Sequence, residues 1–328
     1  MTMILGFIEH DRGKLNELSL EMLTFGRRLA TQLNVPLQAI LIGEAARPLV
    51  GRLSSFGVSV LHLAKHERLD EAYAPEAWAQ CMVNLMAAAN PQIVIAAGSD
   101  RGSEVMAHVA ARSDLPLAAN CIDVQPGDPF TVTRQRWGGS LLDESRLTGA
   151  VKLLTVAPHA LQAEEVSAGE PMLNEFTPAL GDKEFRVRVA SRVEAAAGKV
   201  SLAEAKVVVG GGRGVGSAEG FKVLEELAGL LGGTVGCSRA VTSLGWRPHH
   251  DQVGQTGTRI APEIYIACGV SGATQHMVGA KGSKRILAVN TDPEATIVAK
   301  ADWAIIGDLH EVVPALSAEI RKVKSGRG

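Results

Sequence analysis

The stretch of this 328-residue chain with the greatest capacity for chemistry runs over residues 252–290, QVGQTGTRIAPEIYIACGVSGATQHMVGAKGSKRILAVN. A glycine turn at Gly254 and Gly257 precedes the apolar run Ile264–Cys268, and a second small-residue turn, Gly269-Val270-Ser271-Gly272, opens a helix. A strand, a tight turn and a helix start in succession leave backbone N–H groups unpaired and aimed outward, which suits an anion. Thr256, Arg259, Ser271, Gln275 and His276 supply more polar donors than a plain crossover connection requires. The expectation is a phosphate-bearing cofactor whose reactive end touches the same segment.

Three other places could join that chemistry. GGGRGVG at residues 210–216 has the strand-turn-helix context of a dinucleotide turn, but no register gives G-x-G-x-x-G, since Ser217 stands sixth from Gly212. It is not a P-loop either, because Ser217 follows Gly216 where that motif needs lysine, so the signal is weak for NAD and for ATP. Arg213 within the turn carries a guanidinium that can hold two phosphate oxygens together. Gly236-Cys237-Ser238-Arg239 falls at a strand end, where open α/β sheets bind ligands. There Ser238 is a ligand contact or a helix N-cap, and Arg239 a ligand contact or half of a surface ion pair. His249-His250 reads as a solvated loop rather than a metal site. Asp100-Arg101-Gly102 reads as an N-cap aspartate with a surface arginine, or as an anion site, and His10, His62 and His66 read as structural.

The elements that must position these residues form an α/β pattern with two Rossmann-like domains, residues 1–194 and 199–328. In the first, apolar runs at residues 3–8, 37–42, 58–63 and 93–97 alternate with helical spacing at 15–33 and 77–89, which implies a mainly parallel sheet covered on both faces. From about residue 117 the strands at 131–135, 151–156 and 184–189 come without helices and suggest an antiparallel extension. Residues 162–183 read as a surface loop, and 195–198 as a linker. A smaller parallel-sheet domain follows, with strands at 206–209, 234–237, 263–268, 285–289 and 303–306 and helices at 218–231 and 309–323.

Composition narrows the class. Hydrophobic residues at 46% and charged residues at 21% are globular values, and a net charge of −2 with 4% aromatics excludes a nucleic-acid footprint. The four cysteines are scattered, so neither a zinc site nor a redox pair is indicated. With no signal peptide or transmembrane run, the expectation is a cytoplasmic protein, or a mitochondrial matrix protein in a eukaryotic source, without membrane insertion.

These motifs recur in one order that resembles the alpha subunit of electron transfer flavoproteins. The elements are GGRG at 211–214, SRA at 238–240, VGQTG at 253–257, APEIYIACGVSGATQHMVG at 261–279, AVNTDPEA at 288–295, and GDL followed by VVP within 307–314. TRQRWGGS at 133–140 is similar to a first-domain strand of the family. The resemblance implies FAD held in the second domain, at a seam with a smaller beta subunit that the first domain contacts. Position by position it gives flavin contacts at Arg213, Ser238, Arg239, Val253, Gly254, Gln255, Thr256, Ser271, Gly272, Ala273, Thr274, Gln275, His276, Asn290, Asp308 and Leu309. Ser271 and Gly272 suit the pyrophosphate, and Asn290 phosphate or ribose. Asp308 suits ribose or the adenine amine, Thr256 the ring at N4 or N5, and Arg239 the ring face. His276 falls beside N1 and C2=O, where a cation or donor raises the flavin potential. Cys237 is read as packing, with oxidation sensitivity as the alternative.

The implied function is electron carriage, from flavin-dependent dehydrogenases to a membrane quinone oxidoreductase or another acceptor, with no substrate conversion, catalytic residue or metal of its own. An electron-bifurcating complex and a purely structural nucleotide-binding subunit are the alternatives.

Overall fold

The computed structural model describes residues 2–139, 141–166, 169–191, 201–203 and 205–326; the expected linker at 195–198 lies outside them. The chain divides into two compact units, residues 1–192 and 193–328.

In chain order the first unit contains β1 (Ile4–Phe7), β2 (His10–Asp11), β3 (Lys14–Leu15), α1 (Leu18–Leu33), β4 (Leu37–Ile42), α2 (Val50–Leu53), β5 (Val60–Ala64), α3 (Pro75–Ala89), β6 (Ile93–Ala97), α4 (Asp100–Ser113), β7 (Leu117–Gln125), β8 (Phe130–Arg136), β9 (Leu141–Leu147), β10 (Lys152–Val156) and β11 (Met172–Phe176). Its main sheet runs β11-β5-β4-β1-β6-β10-β7-β8-β9. Pairing is parallel from β11 to β7 and antiparallel across β7-β8-β9. β1 and β6 are buried at every position, as strands covered on both faces must be. One face packs α1 through Met22 and Leu23, and the other packs α3 and α4 through Trp78, Met82 and Met106.

Local chemistry sets the helix ends. Pro75 occupies the first turn of α3, where its missing N–H costs nothing. Asn34, Asn90 and Asp114 close α1, α3 and α4 in the left-handed conformation that short polar side chains tolerate. Ser99, rather than Asp100, caps α4, its hydroxyl accepting from the Gly102 N–H at 2.9 Å, and Arg101 pairs with Asp11 at 3.3 Å.

Three expectations for this unit are corrected. Residues 162–183 contain strand β11, which adds in parallel to β5, and residues 184–189 form no strand: a short 3-10 turn, Asp182–Phe185, stands there instead. Glu184 is drawn inward in that turn, its carboxylate accepting from the Gly181 N–H at 2.9 Å and facing Arg112. The antiparallel extension is confined to β7, β8 and β9, because β10 inserts in parallel between β6 and β7.

The second unit contains β12 (Val207–Gly211), α5 (Phe221–Leu231), β13 (Thr234–Cys237), α6 (Arg239–Ser243), β14 (Ile264–Cys268), α7 (Thr274–Ala280), β15 (Ile286–Asn290), α8 (Thr296–Lys300), β16 (Trp303–Ile306) and α9 (Leu309–Lys324). All five strands are parallel in the order β13-β12-β14-β15-β16. Phe221, Leu224, Leu227 and Val313 bring α5 and α9 onto one face, while Tyr265, Met277, Ala280 and Ile297 bring α7 and α8 onto the other. β13 departs to one side of β12, and β14, β15 and β16 to the other. The winding therefore reverses between β12 and β14, which opens a crevice at the carboxyl ends of those strands. All four residues of β16, at the sheet margin, are exposed. Among the described residues no helix is long and apolar enough to cross a membrane.

Candidate functional site

A cleft of about 450 Å³ opens at the carboxyl ends of the second sheet, a volume suited to a small-molecule ligand. Every strand of that sheet contributes: Gly212, Arg213 and Gly214 after β12, Ser238 after β13, Gly269 and Ser271 after β14, Asn290 at the end of β15 with Thr291 and Asp292 after it, and Gly307 through Leu309 after β16.

Two glycine turns form its floor. The Gly212 N–H donates to the Cys268 carbonyl at 2.9 Å and the Gly214 N–H to the Gly269 carbonyl at 3.1 Å. A Cβ on Gly212 would lie 2.1 Å from the Gly269 oxygen, so the turns approach as closely as they do because neither carries a side chain there. Gly272, at φ +79°, turns the chain where the Ile297 N–H reaches the Ser271 carbonyl. Asn290 fastens the rim, its amide donating to the Val270 carbonyl at 2.8 Å and its oxygen accepting from the Asp292 N–H at 3.1 Å. Asp308 caps α9 by accepting from the His310 N–H, and the His310 ring lies 3.1 Å from the Val215 carbonyl, tying α9 to the first glycine turn.

Of the residues expected to contact a ligand, the structure brings Arg213, Ser238, Ser271, Asn290, Asp308 and Leu309 into the lining of this cleft. Arg213 is exposed and makes no ion pair among the described residues. Ser238 stands at the N-cap position of α6, but its side chain makes no capping hydrogen bond. Arg239 is exposed at the first position of α6 and is not part of the lining.

Val253, Gly254, Gln255, Thr256, Gly272, Ala273, Thr274, Gln275 and His276 are also outside the lining. Apart from Gly272, they belong to a second cluster, in which the 253–256 turn packs across the start of α7. The Gln255 N–H donates to the Gln275 carbonyl at 2.8 Å, and a Cβ on Gly279 would meet the Gly254 backbone at 2.3 Å. Thr256 is exposed, its hydroxyl accepting from the Gln252 amide at 3.1 Å. The Val253 side chain is core. The helix expected after the 269–272 turn is α7, which begins at Thr274 with Ala273 as its N-cap, so Ser271 lies in the loop before it.

His276 is the buried titratable group of this cluster, with Nε2 2.7 Å from the Tyr265 hydroxyl and the Val253 backbone beside the ring. Burial pushes its pKa down to about 4 from the ordinary 6.5, with the Val253 backbone opposing. Burial thus favours the neutral ring at physiological pH. Burial also pushes the Cys237 and Cys268 thiols up to about 12, so both are packing groups that remain protonated. His249 and His250 are exposed, and no cluster able to hold a metal occurs among the described residues.

Sequence reasoning did not single out Thr291, Asp292, Glu294, Thr296 and Gly307 of the lining, although most of them fall within AVNTDPEA and GDL. It also passed over Tyr265, whose reach to His276 and to Gly210 depends on the folded sheet.

With this geometry in hand, comparisons with known proteins add the following. Residues 201–281 match the model of the electron transfer flavoprotein FAD-binding domain, and residues 4–180 match that of the electron transfer flavoprotein domain. The chain is similar to the electron transfer flavoprotein subunit alpha of Thermoanaerobacterium thermosaccharolyticum, at 34% identity over 97% of each chain. It is 36% identical to the subunit alpha of Clostridium acetobutylicum over 96% of each chain. To the protein FixB of Clostridium saccharobutylicum it is 35% identical, over 97% of this chain and 96% of that one.

Proposed function

The chain belongs to the electron transfer flavoprotein alpha-subunit family of electron carriers, and on that premise we propose that its flavin is FAD, seated in the cleft of residues 199–328. The observation that carries this reading is the convergence of Arg213, Ser238, Ser271, Asn290 and Asp308 on one crevice at the carboxyl ends of five parallel strands. The residues present suit the group. Arg213 is a cation without an ion-pair partner among the described residues, and the glycine turns let backbone N–H groups come close to phosphate. The start of α7, which carries His276, packs against the adjoining 253–256 turn.

The cofactor supplies an electron-accepting ring, and the protein's residues hold and tune it. Arg213 and the Ser271-Gly272 turn bind the phosphates, Asn290 and Asp308 the ribose or adenine end, and Ser238 the middle of the molecule. Arg239, Thr256 and His276 with the 253–256 turn and the start of α7 stand toward the ring. His276 donates a hydrogen bond, which favours the more negative, reduced ring. The first domain, residues 1–194, contacts a beta subunit that completes the ring's surroundings. The donors are flavin-dependent dehydrogenases and the acceptor is a quinone oxidoreductase.

The test is co-expression with a beta subunit, followed by an absorbance spectrum, mass identification of the released cofactor and a stepwise reductive titration. One FAD per heterodimer is expected. Release of AMP without flavin would overturn the reading, and two flavins with reactivity toward NADH would replace the simple carrier by a bifurcating one.

A further inference from the structure

We propose that His310 is a positioning residue for the cleft: with one hydrogen bond to each of two walls, it holds the Arg213 turn and the Asp308 carboxylate at a fixed separation and so preorganises the seat of a diphosphate nucleotide. This rests on the reading of the cleft as the FAD site. It deepens that reading by naming a residue outside the lining that sets the spacing of two groups within it.

The two walls come from opposite ends of the second domain. After β12 the chain makes a 3-10 turn, Arg213–Val215, closed by the Gly216 N–H donating to the Arg213 carbonyl at 3.1 Å. After β16, residues 307–309 lead into α9. β14 and β15 stand between β12 and β16, so no ladder bond joins the two turns directly. His310 spans that gap. Its backbone N–H donates to Asp308 Oδ1 at 2.9 Å, and its ring Nε2 lies 3.1 Å from the Val215 carbonyl oxygen. A carbonyl oxygen only accepts, so Nε2 carries the proton of this contact.

Val215 is where the turn needs a partner. Its side chain is buried in the core beneath α5 and α9, and no backbone N–H among the described residues donates to its carbonyl. A Cβ on Gly220 would lie 2.4 Å from that carbonyl oxygen and 3.3 Å from His310 Cε1. Bare backbone at Gly220 therefore leaves the slot in which ring and carbonyl meet. On the other wall, the cap bond to the His310 N–H orients the Asp308 carboxylate, which lines the cleft together with Arg213. A ligand with phosphates at one point and hydroxyls or an amine at another must meet both groups at once. Its affinity then depends on their spacing being set before it arrives. One neutral hydrogen bond shifts such an equilibrium by about twofold to tenfold.

The test uses the full chain with its beta subunit, stripped of cofactor, in three forms: unsubstituted, His310→Ala and His310→Gln, whose amide restores a donor. His310 is exposed, so neither substitution opens a core cavity. The probes are FAD and ADP, which shares the adenosine and both phosphates but lacks the flavin ring. His310→Ala should bind both about twofold to tenfold more weakly, by the same factor, with the flavin midpoint potential unchanged. His310→Gln should recover most of that affinity. In the ligand-free protein, 15N relaxation should show residues 213–216 more mobile in His310→Ala than in the other two forms. Unchanged affinities in His310→Ala, equal losses in both variants, or a loss for FAD but not ADP would overturn the positioning role. A turn that does not loosen would overturn the clamp itself, whatever the ligand. A turn that loosens in a protein whose unsubstituted form binds neither probe would overturn the FAD reading, and with it the purpose given to the clamp.

Discussion

Acid should weaken the second domain through one buried imidazole. His276 has its pKa lowered by burial from 6.5 to about 4, so between those values the unfolded chain binds a proton that the folded chain refuses. Stability therefore rises with pH across that window and is lost as the pH falls from about 6.5 toward 4. A shift of that size corresponds to about 3 kcal/mol in full, of which about 2 kcal/mol falls between roughly pH 7.5 and pH 5. The perturbation is His276→Gln, which removes the titration while keeping a polar side chain of similar reach. Urea unfolding of both proteins at several pH values gives the quantity that matters, the difference between their pH dependences. Unsubstituted protein should lose about 2 kcal/mol more than the variant on going from pH 7.5 to pH 5. A difference that stays constant over this range, or a His276 NMR titration midpoint near 6.5, would refute the reasoning and restore a cationic role for the ring.

Arg213→Ala should separate binding from folding: the side chain is exposed and lines the cleft without an ion pair among the described residues. Unfolding free energy should stay within about 0.5 kcal/mol while FAD affinity drops about tenfold to a hundredfold, as flavin titration and denaturation run side by side would show. Gly212→Ala sets backbone against backbone, its Cβ 2.1 Å from the Gly269 oxygen, and should cost about 3 kcal/mol or more and release the flavin. Gly229→Ala in α5 meets nothing within 4 Å, so the same measurements should show a gain of about 0.5–1 kcal/mol and flavin retained.

Legibility in the sequence followed burial. The runs that became β4, β6 and β13 were readable to the residue because they are short, mostly apolar and buried stretches flanked by turn residues, and β16 was readable from its apolar composition although it is exposed. β11 was not, since MLNEF is a marginal strand with mostly exposed or half-buried side chains, and such an edge shows no alternation. The alternating stretch around Phe185 misled in the opposite sense, because Arg112 and the Gly181 N–H draw Glu184 into a turn instead. Within the site, the cleft-lining turns were legible because glycine turns and a helix start are local features. The Tyr265–His276 contact, and the clash that makes Gly210 a glycine, arise only when β12, β14 and α7 meet, and no local pattern encodes them. The absence of positive charge on His276 was equally hidden, since it is a property of the surrounding core.

Gly210, Tyr265 and His276 consequently cannot drift one at a time. A side chain at 210 collides with the phenol, loss of the phenol removes the bond that orients the imidazole, and a different residue at 276 strands a buried hydroxyl. Substitutions at the three sites should be strongly epistatic, each tolerated only on a background already altered at its neighbour. For mutational drift, the three positions amount to a single locus spread across two strands and a helix.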